Sequence, residues 1–225
     1  MSVIPFIIEG TDRTIVETRE EFEAAGGLGG KVMLIQNLDR GQFLSKGDTN
    51  ASYDLRIGCA YRDHRDAGKT ELSENGYITL LPSSAVIIQT EECVHFPKST
   101  FGHIVPKVSL LQKGISNTSS KVDPGYIGHL LITVFNLGKK TVTLKKGDPF
   151  CTLYVLQVLE GVRPYDKVPK ALPGVSKRGI WQGVRDLIER NPSLLTLLLI
   201  IATFVLVICQ IIEFLLFVTG RLVTR

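Results

Sequence analysis

The hydrophobic rhythm of the chain changes twice. From Lys31 to Leu159, short apolar or alternating runs such as "VMLIQ", "YDLRIG", "YITLL", "AVIIQT", "HLLITVFN", "TVTLKKG" and "FCTLYVLQV" dominate. Val, Ile, Thr, Tyr and Phe suit a pleated, half-buried surface. Turn chemistry separates the runs, in "ENG", "LPSS", "DPG" and "NLGKK". Strands recurring about every ten residues, with no strand–helix–strand rhythm, predict an all-β sandwich or barrel. Ahead of them, "TIVETREEFEAAGG" places Ile15, Phe22 and Ala25 at roughly helical spacing, and Gly26-Gly27 supplies a stop. A short helix is expected there. The opening "MSVIPFIIEG" has neither a basic start nor a small-residue cleavage site, and reads as an edge strand or packed arm.

Beyond the strands the rhythm lengthens. Residues 161–177, "GVRPYDKVPKALPGVSK", carry Pro164, Pro169 and Pro173 and few large apolar groups, so they form a linker or an ordered arm. "GIWQGVRDLIER" sets Ile180, Trp181, Val184, Leu187 and Ile188 on one helical face and Arg185, Asp186, Glu189 and Arg190 on another. Such a helix lies in a membrane interface through Trp181 or packs on the folded domain. From Leu194 to Val218 the chain is apolar except for Thr196, Thr203, Gln210 and Glu213. At ~1.5 Å per residue that run exceeds the ~30 Å hydrocarbon core and predicts a transmembrane helix. Gln210 and Glu213 share a face, either for a helix–helix contact or with Glu213 snorkelling to the far interface. The expected division is an N-terminal arm and helix (1–30), a β domain (31–160), a linker or arm (161–178), an interfacial helix (179–191), a membrane helix (194–218) and a short tail (219–225).

Charge sharpens this picture. The net charge of the 225 residues is +4, but residues 1–160 hold 17 Lys/Arg against 18 Asp/Glu, and residues 161–225 hold 9 against 4. A basic excess confined to the tail favours an anionic lipid bilayer over nucleic acid. Lys170, Lys177, Arg178, Arg185 and Arg190 precede the apolar run and only Arg221 and Arg225 follow it. The positive-inside rule then predicts a single-pass C-terminal tail anchor with the folded domain cytoplasmic. Cys59, Cys93, Cys151 and Cys209 form no CxxC pair, and the four histidines form no HxxxH or HExxH pattern. That spacing argues against a disulfide framework and against a metal held by His and Cys. "GGLGGK" fails as a phosphate loop, with Ala25 and Val32 where Gly and Ser/Thr are required.

The strongest local chemistry is "VDPGY", residues 122–126. Pro124 fixes its own φ and Gly125 permits a positive one, so Asp123 is held at a tight strand entry beside the Tyr126 ring. A carboxylate there can face a sugar or an activated water, with the ring to stack on it. The same tripeptide also simply closes hairpins.

Neighbouring blocks give that turn a context. "NASYDLRIG" (50–58), "HIVPKVSLLQKGI" (103–115) and "KVDPGYIGHLLITVFNLGKKTVTLKKGDPFCTLYV" (121–155) come in the order and near the spacing of the motifs of the dUTPase and dCTP deaminase superfamily. "LPSSAVIIQTEECVHFP" resembles the strand pair before the second motif, and the likeness covers roughly residues 30–178. The resemblance implies a mainly β, distorted β-barrel or jelly-roll domain, usually homotrimeric, with sites between subunits for pyrimidine deoxynucleoside triphosphates and magnesium carried by the phosphates. On this likeness Asp54 sits near the phosphates and metal. Asp123 contacts deoxyribose and, in dUTPases, activates water, while Tyr126 lies beneath the sugar. Lys107 and Ser109 fall in the phosphate-binding block, Lys107 replacing an arginine fork with a point charge. "PYDKVPKALPGVSKRG" is similar to the deaminase tail that folds over the triphosphate, which gives Lys167, Lys170 and Lys177 a charge role.

Departures from the pattern narrow the activity. Val108, Gln112 and Thr133 stand where deaminases of this family carry a serine, an arginine and a glutamate. Without that carboxylate, proton transfer at C4 loses ~10²–10⁴-fold. Thr152 replaces the usual fourth-motif glutamine and the fifth, Gly-rich motif is absent. The expectation is a membrane-anchored, non-catalytic nucleotide sensor or effector, for instance in phage defence. A tethered dUTP pyrophosphatase or divergent dCTP deaminase, and a trimerisation scaffold with a dead pocket, are the alternatives.

Overall fold

A computed structural model describes residues 2–43, 50–66, 68–158, 162–174 and 192–223. The chain divides into two units, Met1–Ser176 and Lys177–Arg225. In the first unit, strands β1 (Val3–Ile4) and β2 (Ile15–Val16) precede helix α1 (Arg19–Ala24) and β3 (Met33–Gln36) follows it. Next come β4 (Tyr53–Asp63), β5 (Thr70–Glu71), β6 (Tyr77–Leu80), β7 (Ala85–His95), β8 (Thr100–Pro106) and the one-turn helix α2 (Val108–Leu111). Strands β9 (Ile115–Asn117), β10 (Ser120–Val122), β11 (Ile127–Asn136), β12 (Val142–Lys145) and β13 (Pro149–Gln157) complete it.

Strict alternation builds the core. In β7 every second residue from Val86 to Val94 is buried, and β11 repeats the pattern from Leu130 to Asn136. Leu55, Ile57, Ile88, Phe96, Ile104 and Leu153 are essentially inaccessible and belong to one cluster. Each such side chain contributes roughly 1.5–3 kcal/mol on burial. The main path of hydrogen-bonded strands is β10-β8-β13-β4-β7-β11-β9. β9 and β10 end this path without pairing to each other, so among the described strands the sheet does not close into a barrel. The architecture is mainly β, of jelly-roll type.

Strand β4 turns the corner between the two halves. Its first residues, Tyr53 to Arg56, pair with β13, and its last, Tyr61 to Asp63, pair with β7 after a register shift. Gly58 lies at that bend, where a Cβ would stand 2.7 Å from the Thr90 carbonyl oxygen and 2.8 Å from that of Gln89. Only glycine allows this backbone approach. Gly58→Ala is expected to destabilise the domain by about 1–3 kcal/mol, read as a lowered urea midpoint.

The N-terminal expectations need adjustment. The helix predicted across residues 14–27 is only Arg19–Ala24, because Ile15 and Val16 pair in parallel with Met33 and Leu34 as β2. Thr18 begins the helix: its Oγ accepts from the Glu21 N–H and donates to Oε2 of Glu21, a local capping box. The opening segment is an edge strand, with Val3 and Ile4 paired to Leu156 and Val155.

The membrane assignment is overturned. Among the described residues no helix is long and apolar enough to cross a membrane. Helix α3 runs Pro192–Val223, and the finding is made of its described residues. The transmembrane helix over 194–218, the tail anchor, the lipid bilayer as partner and the cytoplasmic placement argued from flanking charge all fall with it. Gln210 is exposed on α3. The interfacial helix over 179–191, with Trp181, and the Glu213 side chain lie outside the described residues.

Candidate functional site

The site begins as a parting of strands. β9 pairs with β11 at Val134↔Asn117, and the Thr118 N–H donates to the Thr133 carbonyl at 2.9 Å. The chain then leaves β11 and pairs with β8, at Ser120↔Ile104 through Val122↔Gly102. A cavity of about 250 Å³ opens in this splay, walled by Ile104, Val122, Leu130 and Ile132 with Asp123, Tyr126, Tyr165 and Lys170 also lining it. A register irregularity between His129 and Leu131 falls on the β11 wall. There Thr90 Oγ1 substitutes for a backbone partner, accepting from the Leu130 N–H at 3.0 Å. Bulges of this kind commonly re-aim strands beside binding sites.

Asp123 occupies the first position of the expected turn. The Tyr126 N–H donates to the Asp123 carbonyl at 3.1 Å, and Gly125 has φ +79°. With Pro124 second and Gly125 third this is a type II turn, which demands a positive φ at its third residue. Lys121 Nζ reaches Asp123 Oδ1 at 2.7 Å. Tyr126 donates its hydroxyl to the His129 carbonyl at 2.6 Å. Burial, then the neighbouring Tyr165 and Cys93, push its phenol up to about 12, so the ring stays neutral.

The segment after β13 is an ordered arm. The Tyr165 N–H donates to the Pro124 carbonyl at 2.7 Å, and its ring meets that of Tyr126 edge-on at 5.2 Å. The Lys69 N–H holds the arm further on, through the Pro173 and Gly174 carbonyls. A second cavity, of about 290 Å³, adjoins the first and is lined by Lys121, Asp123, Arg163, Tyr165, Asp166 and Lys167. Arg163 pairs with Asp166. The mouth is net cationic, with Lys121, Arg163, Lys167 and Lys170 facing two carboxylates.

The other expected residues gather elsewhere. Lys107 Nζ ion-pairs with Asp54 Oδ2, and Thr152 Oγ1 donates to Asp54 Oδ1 at 2.6 Å. Ser109 is exposed in α2, beside this cluster in sequence. Lys107 follows the end of β8, whereas Asp123 follows the register pair Val122↔Gly102 near its start. At ~3.3 Å per residue the two groups lie about 20 Å apart along the strand. One chain therefore brings Asp123, Tyr126, Lys167 and Lys170 together, and separately Asp54, Lys107 and Thr152. Lys177 lies outside the described residues. Thr133 is on the β11 face opposite Leu130 and Ile132, and Gln112 is exposed.

Neither group is a metal cage. Among the described residues no three His, Cys, Asp or Glu side chains converge, and both Asp54 oxygens and one of Asp123 already have partners. Magnesium fits here only as an ion brought by phosphates.

Reading the residues missed four positions. Lys121 and Tyr165 flank the turn only through the sheet register and the arm's path, and Arg163 shares that arm. Asn117 lies at the vertex of the splay, which sequence spacing alone does not reveal.

A β domain whose parted strands hold an Asp-Pro-Gly-Tyr turn at a cationic mouth defines the class. The chain belongs to the dCTP deaminase-like family, which matches residues 31–158. It is 31% identical over 137 residues to a dCTP deaminase of Thermococcus gammatolerans, covering 60% of this chain and 78% of that protein. Among solved structures, the dUTPase of equine infectious anemia virus shares 26% identity at a TM-score of 0.36, covering 53% of this chain and 98% of that one. A dCTP deaminase from Agrobacterium tumefaciens shares 17% identity at 0.41, covering 46% and 38%.

Proposed function

We infer that this chain binds a pyrimidine deoxynucleoside triphosphate in the splayed-strand slot. The observation that carries the reading is the slot itself: a cleft between two strand edges, with apolar walls at Ile104, Val122, Leu130 and Ile132 and with Asp123 and Tyr126 at a cationic mouth. Unpaired strand-edge amides can meet a base edge, Asp123 can accept from a sugar hydroxyl, and Lys121, Lys167 and Lys170 can meet the phosphates. Because Lys107, with its partner Asp54 and the neighbouring Ser109, lies at the far end of β8, about 20 Å from Asp123, this group serves the slot of a neighbouring copy. A homotrimer closes three such sites by cyclic symmetry.

Deamination is disfavoured in this reading. Asp123 is the one carboxylate lining the slot among the described residues, and Thr133 supplies no acid in place of the family glutamate. The chain is then a nucleotide-binding protein whose occupancy, not turnover, is its output. Hydrolysis of dUTP is the second reading, favoured by the partial exposure of the Asp123 carboxylate beside Lys121. The deciding assay incubates the full chain with dUTP and dCTP plus magnesium and separates the products, alongside calorimetry with the same nucleotides. Saturable binding with unchanged triphosphates is expected. Release of dUMP that disappears in Asp123→Asn establishes the pyrophosphatase, dUTP formed from dCTP establishes the deaminase, and absence of binding leaves a scaffold.

A further inference from the structure

We propose that Lys107 is a built-in counter-ion for the triphosphate, standing between Asp54 and the phosphates where a magnesium ion would otherwise sit. The chain then binds its nucleotide as well without metal as with it. The inference rests on the nucleotide-binding reading, in which the Lys107 group meets the phosphates of a neighbouring slot, and adds to it the form of ligand that the site takes.

It starts from one carboxylate. Lys107 Nζ donates to Oδ2 of Asp54, and Thr152 Oγ1 donates to Oδ1 at 2.6 Å. Lys107 and Thr152 are both positions where this chain departs from the family pattern, and the two departures converge on the same side chain. The side chains of Asp54 and Lys107 are only 26% and 27% exposed. The pair is therefore screened less by salt than a surface pair.

Asp54 is also fixed from behind. Its N–H donates to Gln42 Oε1 at 2.8 Å, and Gln42 Nε2 donates to its carbonyl at 2.9 Å. The glutamine amide satisfies this backbone as a neighbouring strand would. On the other side Asp54 is in register with Thr152 on β13, which brings the hydroxyl to the carboxylate. With its backbone and both oxygens held, the carboxylate cannot swing out to an ion. A divalent cation brought to Oδ2 would instead meet the Lys107 ammonium, and like charges at that range repel strongly in a part-buried place.

The ammonium can do the metal's electrostatic work. It carries three donors on a flexible stem, and one contact to Asp54 leaves donors for phosphate oxygens. Carboxylate, ammonium and phosphate then stand in the same order of charge as carboxylate, metal and phosphate. Lys121, Arg163, Lys167 and Lys170 at the slot mouth supply further positive charge for a triphosphate that arrives without its ion.

The test is calorimetry on the full chain with α,β-imido dUTP, which excludes turnover, in magnesium and in EDTA at one ionic strength. The wild type is expected to bind within about threefold in the two buffers. Lys107→Met, which frees Asp54 and removes the cation, is expected to bind at least about tenfold more tightly with magnesium than with EDTA, the worth of one charge-assisted contact. Lys107→Arg keeps the charge and should remain indifferent to the metal. A loss of packing alone would weaken both buffers equally and leave their ratio unchanged. A wild type that weakens more than threefold on chelation overturns the proposal, whether or not the variants fold. Equal affinities in the two buffers for a folded Lys107→Met overturn it as well, since another group then supplies the cation. Both results leave nucleotide binding standing. Absence of binding to the folded wild type in either buffer instead removes the parent reading and this one with it.

Discussion

Glu92→Ala is expected to destabilise the β domain by about 3–5 kcal/mol, the range for breaking a buried ion pair by removing one partner. Glu92 is fully buried at an inward position of β7. Its carboxylate accepts from the Tyr53 hydroxyl at 2.8 Å, from the Arg56 N–H at 3.0 Å and from Arg56 Nε at 2.8 Å. Arg56 continues to the Asn37 carbonyl, and the Tyr53 oxygen accepts from the Asp39 N–H. Burial and the adjoining Glu92 carboxylate push the Tyr53 phenol up, so it remains a donor across the accessible pH range. Alanine would strand a guanidinium and a phenol at the corner strand. Against a domain stability of about 5–15 kcal/mol this is a large fraction, and it appears as a lower urea midpoint. The double variant Glu92→Leu with Arg56→Leu should recover part of the loss, since an apolar pair leaves no orphan charge. Equal midpoints for Glu92→Ala and wild type would show that the network contributes nothing to stability.

This network also marks where sequence patterning stops being informative. The alternation in "AVIIQTEECVH" correctly gives a strand with one buried face, but continued through Thr90 and Glu92 it places two polar groups inward. Their partners lie 36 to 40 residues away, on β4 and β11, and no local pattern announces them. The turn at Asp123 was legible because Pro and Gly each dictate a backbone angle. The slot was not, because it arises where β9 and β10 choose different partners, a tertiary event. Ile15 and Val16 went the same way, their β-branched side chains drawn into a parallel pair with β3 despite a helical spacing. The apolar run at the C-terminus misled more seriously. Length and composition suggested a span, whereas no helix among the described residues meets the requirement for one.

The separation of the two residue groups leads to the most decisive expectation for assembly. Asp123→Ala and Lys107→Met should each weaken dUTP binding about 10–100-fold, the worth of one charge-assisted hydrogen bond of ~1.5–3 kcal/mol. In the proposed arrangement Asp123 acts within the slot of its own chain, whereas Lys107, about 20 Å along β8, acts in the slot of the next copy. Co-expressing the two variants with different tags, and purifying assemblies that carry both, therefore regenerates intact sites. A site is whole when its slot comes from a Lys107→Met chain and its phosphate group from an Asp123→Ala chain. In a cyclic trimer that carries both variants that is one site of the three, about a third. Tight binding returning at about that stoichiometry would be incompatible with a site confined to one chain, where mixing two damaged copies restores nothing. If mixed assemblies stay as weak as the separate variants, Asp54 and Lys107 do not serve a neighbour. Their ion pair, capped by Thr152, then fastens β4 to the end of β8 and holds the fold.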